Sequence, residues 1–406
     1  MKEHFHGVPS KFFQDRFGYP ASLIVRTPGR VNLIGEHIDY SLLPVLPMAI
    51  QLRTTLTVRP RKDSHVRLVN AKKAYSDIEL ELSANLETGP TNDWGDYARG
   101  AAQALVHEYG ITVGADIAVE SNLPVAAGLS SSSALSCGVA LALLTVNGHT
   151  IDRVELAEIM AAAEQYTGTQ GGGMDQAVIL CARGGSALEV NFAPLQIREV
   201  EVPGDWVFLV TYSGIVAEKS GAAQATYNTR TRECREALQT IWGWVGKGIP
   251  PKRDYRPLLE AANPQDLLNV ADKVLRVPLL PRLRHTVSEA LRVPDAEAAL
   301  RMQDIDAFGR IMNLSHKSLR DDYEVSTPEL DRIVILSQQA GAAGARLTGA
   351  GLGGAALILC TKDKEQAIRK SLVEEYCSPQ GKTLSENDIV SVIPSGGATV
   401  ARAVGG

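Results

Sequence analysis

Four short segments of this 406-residue chain set polar side chains beside glycines, where backbone and side chain can both reach a ligand. In the segment from Gly128 to Ala134, a glycine and four serines run into an apolar stretch. Backbone N–H groups of such a loop, followed by the positive end of a helix, can cradle a triphosphate without a lysine. No Gly-Lys-Ser or Gly-Lys-Thr follows, so this is not a Walker A loop; a Ser-rich helix cap is the plainer reading. Asp175 follows Gly171-Gly172-Gly173, which let the backbone approach a ligand closely and leave a carboxylate placed to accept a hydroxyl proton. The alternative there is a polar cap after a flexible loop. Glu164 shares a helix face with Leu156 and Met160, so its carboxylate needs a partner, a metal or water at a frayed helix end. Glu36, His37 and Asp39 crowd into four residues and suit a ligand rich in hydroxyl groups. A metal is the rival there, but magnesium rarely uses histidine and zinc wants more ligands. Gly349 to Gly354 fits G-x-G-x-x-G, yet the apolar Ala355-Ala356-Leu357-Ile358-Leu359 that follows reads as a strand, which excludes a dinucleotide site.

Together these segments resemble the GHMP small-molecule kinases. Pro124, Gly128, Leu129, Ser131 and Ser132 match the Pro-x-x-x-Gly-Leu-x-Ser-Ser motif, and Leu347 to Gly354 matches the third motif, which packs near the phosphate loop. Pro28-Gly29-Arg30-x-Asn32-Leu33-Ile34-Gly35-Glu36-His37-x-Asp39-Tyr40 and Met174-Asp175-Gln176 narrow the resemblance to the galactokinase branch. The resemblance implies ATP- and magnesium-dependent phosphorylation of the anomeric hydroxyl of galactose. Arg30 and Asp175 are the implied catalytic residues, and Glu36, His37, Asp39, Gly172 and Tyr227 the implied sugar contacts. Pro124, Gly128, Leu129, Ser130, Ser131 and Ser132 would hold the nucleotide phosphates, Trp94 and Tyr97 would stack the adenine, and Ser132 and Glu164 would bind magnesium. Two features depart from the pattern. Ser41-Leu42-Leu43-Pro44 replaces glycine-rich residues in an expected wall of the sugar pocket, and the sequence from Gly168 to Asp175 is closer to N-acetylgalactosamine kinases. An acetamido-sugar kinase and a sugar sensor without turnover therefore stand beside galactokinase. An isoprenoid-pathway kinase of the same fold has no reason to carry Glu36, His37 and Asp39.

To bring these segments together the chain needs strands that end at them. Residues 23–26, 45–60, 65–83 and 116–119 read as strands in the first half, with strands near 186–193 and 206–212. Helices are expected over 8–18, 93–109, 133–147 and, from a capping box at Asp152 and Glu155, on to about Tyr166. The second half reads as helices at 218–243, 256–262, 264–275, 282–292, 296–300, 303–318 and 328–340, with a loop through Lys247 and strands at 343–348 and 355–360. The expectation is an α+β protein of the two-domain GHMP kinase fold. An N-terminal mixed α/β domain (1–199) and a C-terminal α+β domain (200–406) would face each other across the active-site cleft.

Composition fits that reading. Apolar residues make up 45% and charged residues 21%, enough for a full core. A net charge of −5 without a basic block argues against nucleic acid as a partner. The five cysteines, Cys137, Cys181, Cys234, Cys360 and Cys377, are scattered and form no C-x-x-C pair, which fits a reducing cytoplasm. Residues 1–6 lack an apolar signal core, and the longest apolar run, Val139 to Val146, is far short of the roughly 20 residues of a membrane span. A monomer that takes a small sugar and ATP is expected.

Overall fold

The structure is a computed structural model of the chain, and it describes residues 11–90, 93–124, 128–216, 222–246, 248–378 and 388–403. Residues 8–10, 125–127, 218–221 and Lys247, which took part in the expectations above, lie outside these.

Twelve strands are present among the described residues: β1 (Leu23–Ile34), β2 (Leu46–Pro60), β3 (His65–Asn70), β4 (Ile78–Glu81), β5 (Ala115–Ser121), β6 (Ser186–Asn191), β7 (Gln196–Glu201), β8 (Trp206–Tyr212), β9 (Gly344–Thr348), β10 (Ala355–Thr361), β11 (Ile389–Val392) and β12 (Thr399–Arg402). They form a six-stranded sheet in the order β12-β1-β2-β5-β3-β4, a four-stranded sheet in the order β11-β8-β10-β9, and the hairpin β6-β7. Only β3 and β5 pair in parallel within the six-stranded sheet; its other pairings are antiparallel. The helix Ser131–Val146 lies against β1 and β2 and is buried along nearly its whole length. Its small apolar residues allow that close approach. A continuous apolar core runs from Val25 and Leu56 of the first sheet to Leu357 and Leu359 of the second.

Several elements differ from the expectation. Strand β1 does not stop before the first motif but carries it: Pro28 to Ile34 lie in the strand, with irregular register at Pro28/Arg30 and Asn32/Ile34. Those bulges turn Arg30 out of simple alternation. Residues 282–300 form no pair of helices but part of one helix, Leu279–Met302, with Pro294 inside. Proline removes one helical hydrogen bond, and burial of Val293 and Ala296 on either side outweighs that loss. The helix after Asp152 ends at Ala163, and Glu164 begins a short 3-10 turn to Thr167. Asp152 caps it through Val154 N–H and Glu155 N–H, while Glu155 accepts from the Tyr109 hydroxyl at 2.8 Å. The helix Met174–Cys181 and strands β7, β11 and β12 had no clear sequence signal. Strand β12 pairs with β1, so the last described residues return to the N-terminal sheet and the two halves do not divide cleanly at residue 199. No helix among the described residues is long and apolar enough to cross a membrane.

Candidate active site

The first strand delivers a guanidinium to the start of a helix 145 residues away. Arg30 Nε donates to Asp175 Oδ1 at 2.7 Å, and Arg30 Nη1 donates to the Gly128 carbonyl at 2.5 Å. Both side chains of the ion pair are nearly buried. Burial disfavours the Arg30 charge, but Asp175, Glu36 and Asp39 more than offset this and hold its pKa above the ordinary value. Asp175 sits in the first turn of the helix Met174–Cys181, where the helix dipole favours a carboxylate. Its second oxygen accepts from the Ser130 hydroxyl and, at 3.3 Å, from Ser133.

Around this pair lies a cleft of about 700 Å3, open solvent at its mouth included. Arg30, Glu36, His37, Asp39, Gly172, Asp175 and Tyr227 all line it, and so does Glu164. The loop Gly171–Gly173 crosses directly over the turn at Asp39. A Cβ on Gly172 would lie 2.2 Å from the Asp39 carbonyl carbon, so only glycine fits, and its N–H donates to Asp39 Oδ2 at 3.1 Å. Burial, and then the charge of Asp175, push the Asp39 carboxyl up to about 6. Burial also raises Glu36 to about 6, against the pull of Arg346 and Arg30.

His37 stands at a positive φ of 61° and has both ring nitrogens engaged. Nε2 lies 3.1 Å from the Ala350 carbonyl and must donate there, so Nδ1 accepts from the Tyr40 hydroxyl at 3.1 Å. Tyr40 in turn meets the Tyr323 hydroxyl, which contacts Cys234 Sγ at 3.1 Å. Burial pushes His37 down to about 3, so the ring is neutral near pH 7. Its side chain therefore shapes the cleft wall, with no ring nitrogen spare for a hydroxyl. Tyr227 packs edge-on to Tyr40, with ring centroids 5.6 Å apart.

The phosphate-loop residues fall where the loop meets the third motif. A Cβ on Gly128 would lie 2.7 Å from the Thr348 carbonyl oxygen, and one on Gly349 would lie 2.7 Å from the Gly128 carbonyl oxygen, so the two segments touch through glycine alone. Ser130 adopts a left-handed conformation just before the helix Ser131–Val146. Leu129 is buried, Ser131 and Ser132 are half-buried in the first turn, and Pro124 is exposed. Glu164 accepts from Ser133 at 3.3 Å and from Gln176 Nε2 at 3.2 Å. Glu164 and the nearby serines offer hard oxygen donors, and no group of three or more His, Cys, Asp or Glu gathers among the described residues. One carboxylate beside phosphate oxygens is a donor set that fits magnesium.

Trp94, Tyr97 and the segment Ser41 to Pro44 sit away from that cleft. Trp94 is 8% exposed, donates its indole N–H to the Ser76 carbonyl at 2.8 Å and packs on Tyr75. Neither Trp94 nor Tyr97 lines this cleft, and neither do Pro124, Gly128, Leu129 or Ser130 to Ser132; Trp94 belongs to the core and Tyr97 packs against it. Ser41 to Pro44 does not wall the cleft either: Leu42 and Leu43 point into the core and the Ser41 carbonyl accepts from Tyr255 N–H. Conversely, sequence reasoning passed over Ser133 and Arg346. Ser133 stood in the quoted serine run, and Arg346 is the one charged residue of a strand that is otherwise small or apolar.

Comparison with known proteins identifies the family. Residues 11–60 match the galactokinase galactose-binding signature, residues 96–183 the GHMP kinases N terminal domain and residues 296–378 the GHMP kinases C terminal domain. The chain is 38% identical to a galactokinase of Roseiflexus sp. over 91% of this chain and 92% of that protein. It is 36% identical to one of Chloroflexus aurantiacus, with 92% of each chain covered. The crystal structure of Lactococcus lactis galactokinase complexed with galactose superposes with a TM-score of 0.86 at 30% identity, covering 96% of this chain and 98% of that one.

Proposed function

Because the chain belongs to the galactokinase family of GHMP kinases, we propose that it transfers the γ-phosphoryl group of ATP to the C1 hydroxyl of galactose. The products are galactose 1-phosphate and ADP. The observation that carries this reading is the buried Arg30–Asp175 pair at 2.7 Å inside the cleft. In the reaction the C1 oxygen bonds to the γ-phosphorus in line as the bond from that phosphorus to the bridging oxygen breaks and ADP leaves. Asp175 accepts the hydroxyl proton or balances its charge, while Arg30 offsets negative charge on the transferred group.

Glu36 and Asp39, with Gly172 and Tyr227, recognise the sugar hydroxyls. The N–H groups around Gly128 to Ser132 take the nucleotide phosphates, at the positive end of the helix Ser131–Val146. Ser132 and Glu164 would hold magnesium, which when bound neutralises phosphate charge. Catalysis in this scheme is mainly positioning and electrostatics, because the protein contributes no covalent intermediate. Among the described residues Cys137, Cys181, Cys234 and Cys360 are free, which fits a reducing cytoplasm.

A coupled ADP-release assay with galactose, N-acetylgalactosamine, glucose, arabinose and galacturonate tests the reading. Galactose is expected to give the highest kcat/KM. Faster turnover of N-acetylgalactosamine would move the assignment to the acetamido sugar, and binding of galactose with no ADP release would make the protein a sensor.

A further inference from the structure

Arg346 is completely buried on β9, at 0% exposure. Its Nη2 donates to Glu36 Oε2 at 2.8 Å and its Nη1 to the Asn32 carbonyl at 3.0 Å. Gly349 N–H donates to the same Glu36 oxygen at 3.0 Å. Among the described residues Arg346 Nε has no hydrogen-bond partner. A buried guanidinium with an idle N–H is a costly way to join two strands, and an apolar side chain would hold β9 as well. Its position is informative: it reaches from the strand that leads into the third glycine-rich segment to a carboxylate that lines the cleft.

We propose that Arg346 is a positioning residue for sugar recognition, fixing the orientation of the Glu36 carboxylate that faces the cleft. This rests on the reading of Glu36 as a sugar ligand. The third segment then has two tasks. Gly349 packs on the phosphate loop at Gly128, while Arg346, Gly349 N–H and the Ala350 carbonyl hold Glu36 and His37 of the sugar signature.

The charged groups around the Glu36 carboxylate can be named. Arg346 comes from β9 and Arg30 from β1, the first nearer in effect than the second. The helix Leu279–Met302 meets the Glu36 backbone, where Glu289 accepts from Glu36 N–H at 3.0 Å and His285 Nε2 lies 3.0 Å from the Glu36 carbonyl, and Arg346 also helps to hold Glu289 ionised. Asp39 and Asp175 share the remaining side of Arg30. Without Arg346, burial alone would dominate, and Glu36 would take up a proton nearer neutral pH.

The experiment measures kcat and both KM values against pH for the wild type, Arg346→Met, Arg346→Lys, Glu36→Gln and the Glu36→Gln/Arg346→Met double variant. Arg346→Met should raise the galactose KM on the order of tenfold or more, as expected when one partner of a buried charge pair is removed. The acid limb of kcat/KM for galactose should also move up by on the order of one pH unit. The KM for ATP should stay within about threefold, which a general loss of structure would not allow. Arg346→Lys keeps a charge but not the two-pronged contact, so it should raise the galactose KM and leave the acid limb in place. In the double variant Arg346→Met should no longer move the limb. Equal losses for both substrates, or an unmoved limb in Arg346→Met, overturn the proposal. Should Arg346→Met not fold, a folded Arg346→Lys with the wild-type galactose KM overturns it alone. A wild-type galactose KM in Glu36→Gln removes the sugar-ligand premise, and the proposal with it. A raised KM in Glu36→Gln beside a normal one in Arg346→Met defeats only the role of Arg346.

Discussion

Glu36 and Glu289 are both buried and meet at the same two residues of backbone, yet they ionise at opposite ends of the carboxylate range. Glu289 Oε1 accepts from Gly35 N–H, Glu36 N–H and the Ser315 hydroxyl, and its Oε2 accepts from Arg292 at 2.6 Å. Burial opposes its charge, but Arg292, and then His285 and Arg346, hold it at about 2. Glu36 faces the cleft, has Arg346 and one backbone N–H on a single oxygen, and rises to about 6. Asp39, also on the cleft side, rises to about 6 through burial and the neighbouring Asp175. One carboxylate is fully supplied with donors and ties the helix Leu279–Met302 to the loop after β1. At the others burial outweighs the donors they have, and in the proposed reading they meet the sugar. In the proposed reading the fold anchors with one kind and recognises sugar with the other, and the difference lies in the charges and donors around each group.

The comparison can be tested from both sides. The largest expected effect is on the cleft side: Arg30→Ala should cut kcat by about 10²–10⁴-fold, the usual worth of a positioned electrostatic or proton-transfer group. Steady-state assays show this, and a loss confined to the galactose KM would contradict it. Next comes the anchor: Glu289→Gln should destabilise the fold by about 2–4 kcal/mol in urea unfolding, because it unpairs buried donors and Arg292. Turnover per folded molecule should change far less than in Arg30→Ala.

Asp39→Asn should do the reverse. A carboxyl whose folded-state pKa of about 6 lies above its ordinary value favours folding below pH 4, and that contribution is lost as pH rises through 6. At pH 8 the neutral asparagine should therefore unfold later than the wild type by about 1–3 kcal/mol, while the galactose KM rises. Earlier unfolding would show that the charge at Asp39 is stabilised after all. Glu289 has the opposite sign: its contribution is present above about pH 4.5 and lost toward pH 2. The smallest effect needs no mutation. Galactose affinity measured by calorimetry should weaken as pH falls through about 6, as Glu36 and Asp39 take up protons. Constant affinity down to pH 5 would place the sugar elsewhere in the cleft.

The residues that line the cleft were largely legible in the sequence, because several of their neighbours are glycines that tolerate little else. The run Gly171–Gly173 before Asp175 announced a close backbone approach, and the structure brings Arg30, Glu36, Asp39 and Asp175 into one cleft. Residues that hold those groups from behind were not legible. Glu289 and Arg346 lie inside a helix and a strand of ordinary appearance, and their partners are about 250 and 310 residues away in sequence. No local pattern records such a contact. Aromatic residues are the ambiguous case: Trp94 and Tyr97 have the spacing of a stacking platform and equally that of a core face, and Trp94 packs on Tyr75. The helix Met174–Cys181 was hidden by its glycine-rich approach, and β12 by its shortness; it adds only four residues to the edge of β1.

The most direct test of the central claim is a single-turnover measurement of phosphoryl transfer from ATP to galactose by Asp175→Asn, with galactose binding checked by calorimetry on the same preparation. The account predicts that the variant still binds galactose and transfers the phosphoryl group about 100-fold or more slowly than the wild type. Transfer at the wild-type rate by a variant that binds both substrates would contradict it.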